Sequence, residues 1–116
     1  MATLNKVFLI GNMTRNPEIR YSPAGTAVCE FSMAMNRRYK DNSGQEKDEP
    51  CYVDVLVFGK SGEAVMRHTQ KGSSVFVEGR LVYEQWEDKE TGAKRSRLRV
   101  NADRVQFLDR RENPPA

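Results

Sequence analysis

Along most of this chain apolar and polar residues alternate, and a period of two marks strands with one buried face. Over residues 26–36, Cys29, Phe31, Met33 and Met35 fall on one side, and Val28, Glu30, Ser32, Ala34 and Asn36 on the other. Residues 51–59 repeat the pattern, with Cys51, Val53, Val55 and Val57 opposite Tyr52, Asp54, Leu56 and Phe58. The valine side is the natural core face. The other side holds a charge and two rings, more than packing requires. Residues 4–11 predict a strand ending at Gly11, and residues 73–83 another, with a bulge or bend at Gly79. Residues 94–107 predict the last strand, with Arg95, Arg97 and Arg99 on one face and Leu98, Val100 and Ala102 on the other. Residues 18–21 read as a short extended piece between two turns. One helix is predicted, over residues 60–72, with Ser61 capping its start, Glu63 near the positive end of the dipole and Gly72 closing it. The polar stretch 37–50 reads as a mobile hairpin or loop holding Tyr39, and residues 84–94 as a charged hairpin holding Trp86, turning at Glu90-Thr91-Gly92.

Three long strands, a helix and two more strands form the order of an all-β OB-fold, a five-stranded Greek-key barrel with one short helix between strands 3 and 4. A sandwich needs more strands and an α/β layer fold more helices. At 116 residues the chain has room for one domain. Residues 1–109 are assigned to the barrel and 110–116, ending Pro114-Pro115-Ala116, to the start of a flexible tail.

Composition narrows the chemistry. The net charge of +3 hints only weakly at a polyanionic partner, and the clustering of arginines at 37–38, 95–99 and 110–111 says more. Cys29 and Cys51 both fall on apolar strand faces, so both are expected as buried free thiols of a reducing compartment. No Cys/His set has metal-ligand spacing, and no cofactor is implied. The apolar run Val7-Phe8-Leu9-Ile10 is too short for a signal peptide or a membrane span, so a cytoplasmic protein is expected, with no membrane partner.

Catalysis finds no support. His68, the lone histidine, falls in the predicted helix and reads as a surface or packing residue rather than a general base. There is no nucleophile–base set and no phosphate-cradling glycine loop. What remains is aromatic residues among basic ones. Tyr39 lies between Arg37-Arg38 and Lys40, Tyr52 and Phe58 share a strand face ahead of Lys60, and Trp86 has Lys94 and Arg95 near it. Rings that stack on bases, flanked by cations that neutralise phosphates, are how single-stranded nucleic acid is held without sequence preference. Phe58, taken alone, is more at home in a core; Tyr39 and Trp86, in charged surroundings, have little core to join.

Several segments together resemble the bacterial-type single-stranded-DNA-binding protein family. They are Asn5-Lys-Val-Phe-Leu-Ile-Gly-Asn12, Pro17-Glu-Ile-Arg-Tyr21, Val57-Phe-Gly-Lys60, Lys71-Gly-Ser73, Val77-Glu-Gly79, Trp86 with Gly92 beyond it, and Val105-Gln-Phe-Leu108. The resemblance implies an OB-fold homotetramer that binds and protects single-stranded DNA during replication, recombination and repair, in the cytoplasm and nucleoid-associated. It implies base stacking by Tyr39, Tyr52, Phe58 and Trp86, and so moves Phe58 from core to platform. Phosphate contacts are expected at Lys6, Arg20, Lys60, Lys71 and Arg95, with Arg37, Arg38, Arg97 and Arg99 added by their clustering. Asp54 departs from the pattern, since a basic residue suits a DNA-binding face. Members usually continue into an acidic tail that recruits replication and repair proteins, so such partners are expected only if a tail exists beyond residue 116.

Overall fold

The computed structural model describes residues 1–108, so the assignment of 110–116 to a tail lies outside the described residues. Six strands and one helix follow in order: β1 (Val7–Met13), β2 (Glu18–Tyr21), β3 (Ala27–Lys40), β4 (Glu46–Phe58), α1 (Gly59–His68), β5 (Ser74–Glu87) and β6 (Lys94–Phe107). The sheet runs β1-β5-β6-β4-β3, and β3 returns to β1 through Asn12–Ala34 and Met13–Met33, closing a five-stranded barrel. All pairs are antiparallel except β4–β6. The short β2 lies outside the barrel, paired to β3. This is the predicted OB barrel, with its helix between the third and fourth barrel strands.

The alternation sets the core. Cys29, Phe31 and Met33 from β3, Val55 and Val57 from β4, Val75 and Val77 from β5, and Val100 from β6 meet inside, with Val65 of α1 closing one end. At Gly79 the β5–β6 register slips so that Asp103 is the extra residue, confirming the predicted irregularity. A side chain at Gly79 would run into the Asn101 carbonyl on β6.

The helix ends differ from prediction. Gly59, at φ +72°, turns β4 directly into α1, so Phe58 rather than Ser61 stands at the N-cap, and no side chain caps it. Glu63 is correspondingly too far in for the first turn. The helix stops at Thr69, whose N–H and Oγ1 both donate to the Val65 carbonyl (3.1 and 2.6 Å), before Gly72 is reached. Gly72, at φ +95°, is instead the third residue of the turn that the Ser73 N–H closes on the Gln70 carbonyl ahead of β5. His68 packs on the Phe107 ring, 5.7 Å between centroids, as a packing residue.

Of the two alternatives for residues 37–50, the structure shows the hairpin and not a loop. β3 and β4 stay paired out to Lys40–Glu46, and only the tip turns. There Asp41 accepts the Ser43 and Gln45 N–H groups and the Ser43 hydroxyl, and these bonds lower its pKa. Alternation predicted no strand here because both faces of this ribbon are polar; the backbone ladder and the Arg37–Glu49 and Arg38–Asp48 pairs hold it. The β5–β6 ladder likewise runs to Glu87–Lys94, making a second ribbon. Because β4 and β6 pair only over Val55–Val57 and Val100–Ala102, the two ribbons part beyond that point. Cys51 lies on the first ribbon, past the barrel, and is exposed, contrary to expectation. Cys29 is buried as predicted, its thiol pushed up to about 11 by burial, with Glu30 adding to the effect.

Candidate nucleic-acid interface

The outward face of the barrel carries the site. On β4, Tyr52, Asp54 and Phe58 point away from the core and face Ala34, Ser32 and Val28 of β3. Tyr52 is 68% exposed, and Phe58 is exposed as well. On the second ribbon, Val82, Glu84 and Trp86 of β5 oppose Arg99, Arg97 and Arg95 of β6. Trp86 is 46% exposed, with the Arg97 guanidinium over its ring, 5.3 Å from the centroid. Arg97 also donates to Glu84 at 2.8 Å, so one cation orients both the acid and the indole.

Arg99 ties the face together. It is 5% exposed and donates to Glu84 at 2.8 Å and to Glu30 at 3.5 Å, joining β6 to β5 and β3. Its Nε is the one buried side-chain nitrogen among the described residues without a hydrogen-bond partner. Glu30 is shared further with Arg20 (3.3 Å) and Arg15 (3.9 Å). Hydrogen bonds from Arg99 and then Arg97 hold the Glu84 carboxyl below the usual glutamate range, against the opposing pull of desolvation. The ground between Tyr52 and Trp86 is therefore a paired mosaic of charge.

The predicted residues fall into three groups. Tyr52, Phe58, Trp86, Arg20, Arg97 and Arg99 lie on or around this mosaic. Tyr39 does not join Tyr52: strand alternation puts it on the opposite face of the first ribbon, under Arg37 at 4.8 Å. Arg38 and Arg95 also sit on the ribbons, paired to Asp48 (3.3 Å) and Asp88 (3.5 Å). Lys6 is at the start of β1, held by Glu78 at 2.9 Å, which raises its pKa, and lies near the Phe8 ring. Lys60 and Lys71 are exposed and, alone among the expected phosphate contacts, have no ion-pair partner among the described residues.

Arg99 stands apart from the rest of the arginine row. Arg95 and Arg97 remain on the ribbon, whereas residue 99 is where β6 enters the barrel and is covered by its acidic partners. Glu30, Ser32 and Glu84 were missed as site residues. Their signal was present in the alternation: polar residues on the outward side of two strands whose inward side is core.

Three comparisons with known proteins bear on this geometry. Residues 4–108 match the model of the single-strand binding protein family. The single-stranded DNA-binding protein of Helicobacter hepaticus is 45% identical over 114 residues, 95% of this chain and 66% of the relative. That of Helicobacter pylori is 42% identical over 111 residues, 96% of this chain and 62% of the relative. The chain thus spans about two thirds of the length of these relatives. Among solved structures, a deletion mutant of the single-stranded DNA binding protein from Thermus aquaticus superposes with a TM-score of 0.83 at 41% identity, covering 93% of this chain and 52% of that one. A Plasmodium falciparum SSB complex with ssDNA shares the fold, with a TM-score of 0.85 at 24% identity over 94% of this chain and 98% of that one. With its OB barrel and a family match that spans almost all of the described residues, this chain belongs to the single-strand binding protein family.

Proposed function

We propose that this protein binds single-stranded DNA without sequence preference and protects it during replication, recombination and repair. The observation that carries the reading is three exposed rings, Tyr52, Phe58 and Trp86, on one outward face around a belt of arginines. Bases stack on the rings, and Lys60, Lys71 and Arg97 neutralise phosphates at its margins. Arg99 serves to hold Glu30 and Glu84 rather than to meet DNA. Tyr39 and the first ribbon form a separate lip that a strand reaches only by passing round the ribbon edge. Binding arginines that are already paired means exchanging carboxylate for phosphate, which weakens each contact relative to a free cation.

The protein acts as a homotetramer in this reading. Phe8 and Ile10 are 60% and 62% exposed on β1 beside Phe76, and the edge of β1 away from β5 has no ladder partner over residues 7–11 among the described residues. An apolar, unpaired strand edge in an otherwise charged protein is suited to another copy of itself. A nucleoid location follows from the DNA bound.

Anisotropy of a labelled oligo(dT) tests the binding. Log affinity is expected to fall with log salt by about 0.7 per phosphate neutralised. A flat response contradicts a phosphate path.

A further inference from the structure

Asp54 is the charge that a DNA-binding face does not call for. It lies on β4 two residues from Tyr52, on the same outward side, and makes no ion pair among the described residues. Its Oδ1 accepts the Ser32 hydroxyl at 2.5 Å, across the β3–β4 register. No donor reaches its other oxygen among the described residues, and that oxygen is not sealed from solvent. The register of Val55 with Val100 makes Arg99 its neighbour on β6, but that guanidinium is taken by Glu30 and Glu84.

A half-buried carboxylate cannot seat a phosphate, because both are anions and little water screens them there. It can only accept hydrogen bonds. On a single strand, the donors within reach of a stacking platform are on base edges: the amino groups of cytosine, adenine and guanine, and the ring N–H of guanine and of thymine, which in thymine lies between two carbonyl oxygens that repel a carboxylate. Thymine presents a carbonyl oxygen where cytosine has its amino group. Two residues along a strand span about 7 Å, a distance that brings the edge of a base stacked on Tyr52 within hydrogen-bonding reach of Asp54.

We propose that Asp54, oriented by Ser32, reads the edge of the base stacked on Tyr52 and favours amino-bearing bases over thymine, with cytosine the pyrimidine it selects. The proposal rests on Tyr52 being a base platform, as the proposed function has it. It adds a base preference to a protein that otherwise binds by stacking and charge.

Competition between oligo(dC), oligo(dT) and oligo(dU) of one length tests it, at slightly alkaline pH where cytosine stays unprotonated. Asp54→Asn keeps the size of the side chain and removes one negative charge. That charge repels every oligonucleotide alike, so it cancels in the ratio of dissociation constants for dT over dC. The ratio is expected to fall about fivefold or more in Asp54→Asn, and part of the way in Ser32→Ala, which keeps the carboxylate but frees its orientation. Oligo(dU) is expected to follow oligo(dT). Unchanged ratios in both variants, with binding intact, overturn the inference and leave the function standing. So does oligo(dU) following oligo(dC), which assigns the discrimination to the thymine methyl. Failure of the unaltered protein to bind any of the three overturns the function and the inference with it.

Discussion

At the scale of single residues, the site depends on what pairs with each arginine. Arg97 and Arg99 are chemically alike and two positions apart, yet one lies over an exposed indole and the other is buried between Glu30 and Glu84. The sequence shows the row but not where β6 enters the barrel, so it cannot separate them. It does show Trp86 as an aromatic with no core to join, and that reading survives in an exposed ring. Glu84 gives a test of the charge belt. Its pKa is depressed in the folded protein, so its contribution to stability is fully present above the ordinary glutamate value of about 4.3 and is lost as pH falls through the lowered folded value. Glu84→Gln is therefore expected to lower the urea midpoint at neutral pH, and the difference from the unaltered protein is expected to close in strong acid. A difference that persists there assigns the effect to packing. Trp86→Ala is expected to weaken oligo(dT) binding by about 1–3 kcal/mol, measured by anisotropy, with the urea midpoint little changed because the ring is half exposed.

At the scale of elements, the barrel was legible wherever one face is buried, since Phe31, Val55, Val77 and Val100 all sit on alternating positions. The ribbons were legible only as hairpins holding Tyr39 and Trp86, not as extensions of the strand ladders. Residues 37–50 have no apolar face to alternate, and their pairing rests on backbone hydrogen bonds and cross-strand charge pairs that leave no period in hydropathy. Cys51 was misplaced for the same reason: the period continues through it, but the barrel has already ended. The helix start was misread because Gly59 makes the turn with its own backbone, leaving Ser61 inside the helix. Gly79 is the element-scale prediction. Its site faces the β6 backbone at the register slip, and a methyl group there has nowhere to go. Gly79→Ala is expected to destabilise the protein by about 1–3 kcal/mol through overpacking, read as a lower urea midpoint. An unchanged midpoint contradicts the close approach of β5 and β6.

At the scale of the whole molecule, the proposed function divides the surface between two tasks, one for the charged ribbon faces and one for the apolar patch on β1 and β5. Phe8, Ile10 and Phe76 suit a second copy, and light scattering is expected to report a tetramer that Phe8→Asp breaks into smaller species; a monomer at all concentrations removes the assembly. The opposite task, DNA binding, reports through one fluorophore, because Trp86 is the single tryptophan in the chain. A titration of the intact protein with oligo(dT), followed by Trp86 emission at low and raised salt, therefore measures the central claim without a label or a mutation. Stacking of a base on the indole predicts saturable quenching whose midpoint moves to higher oligonucleotide concentration as salt rises. Emission that stays unchanged at saturating oligo(dT) contradicts it.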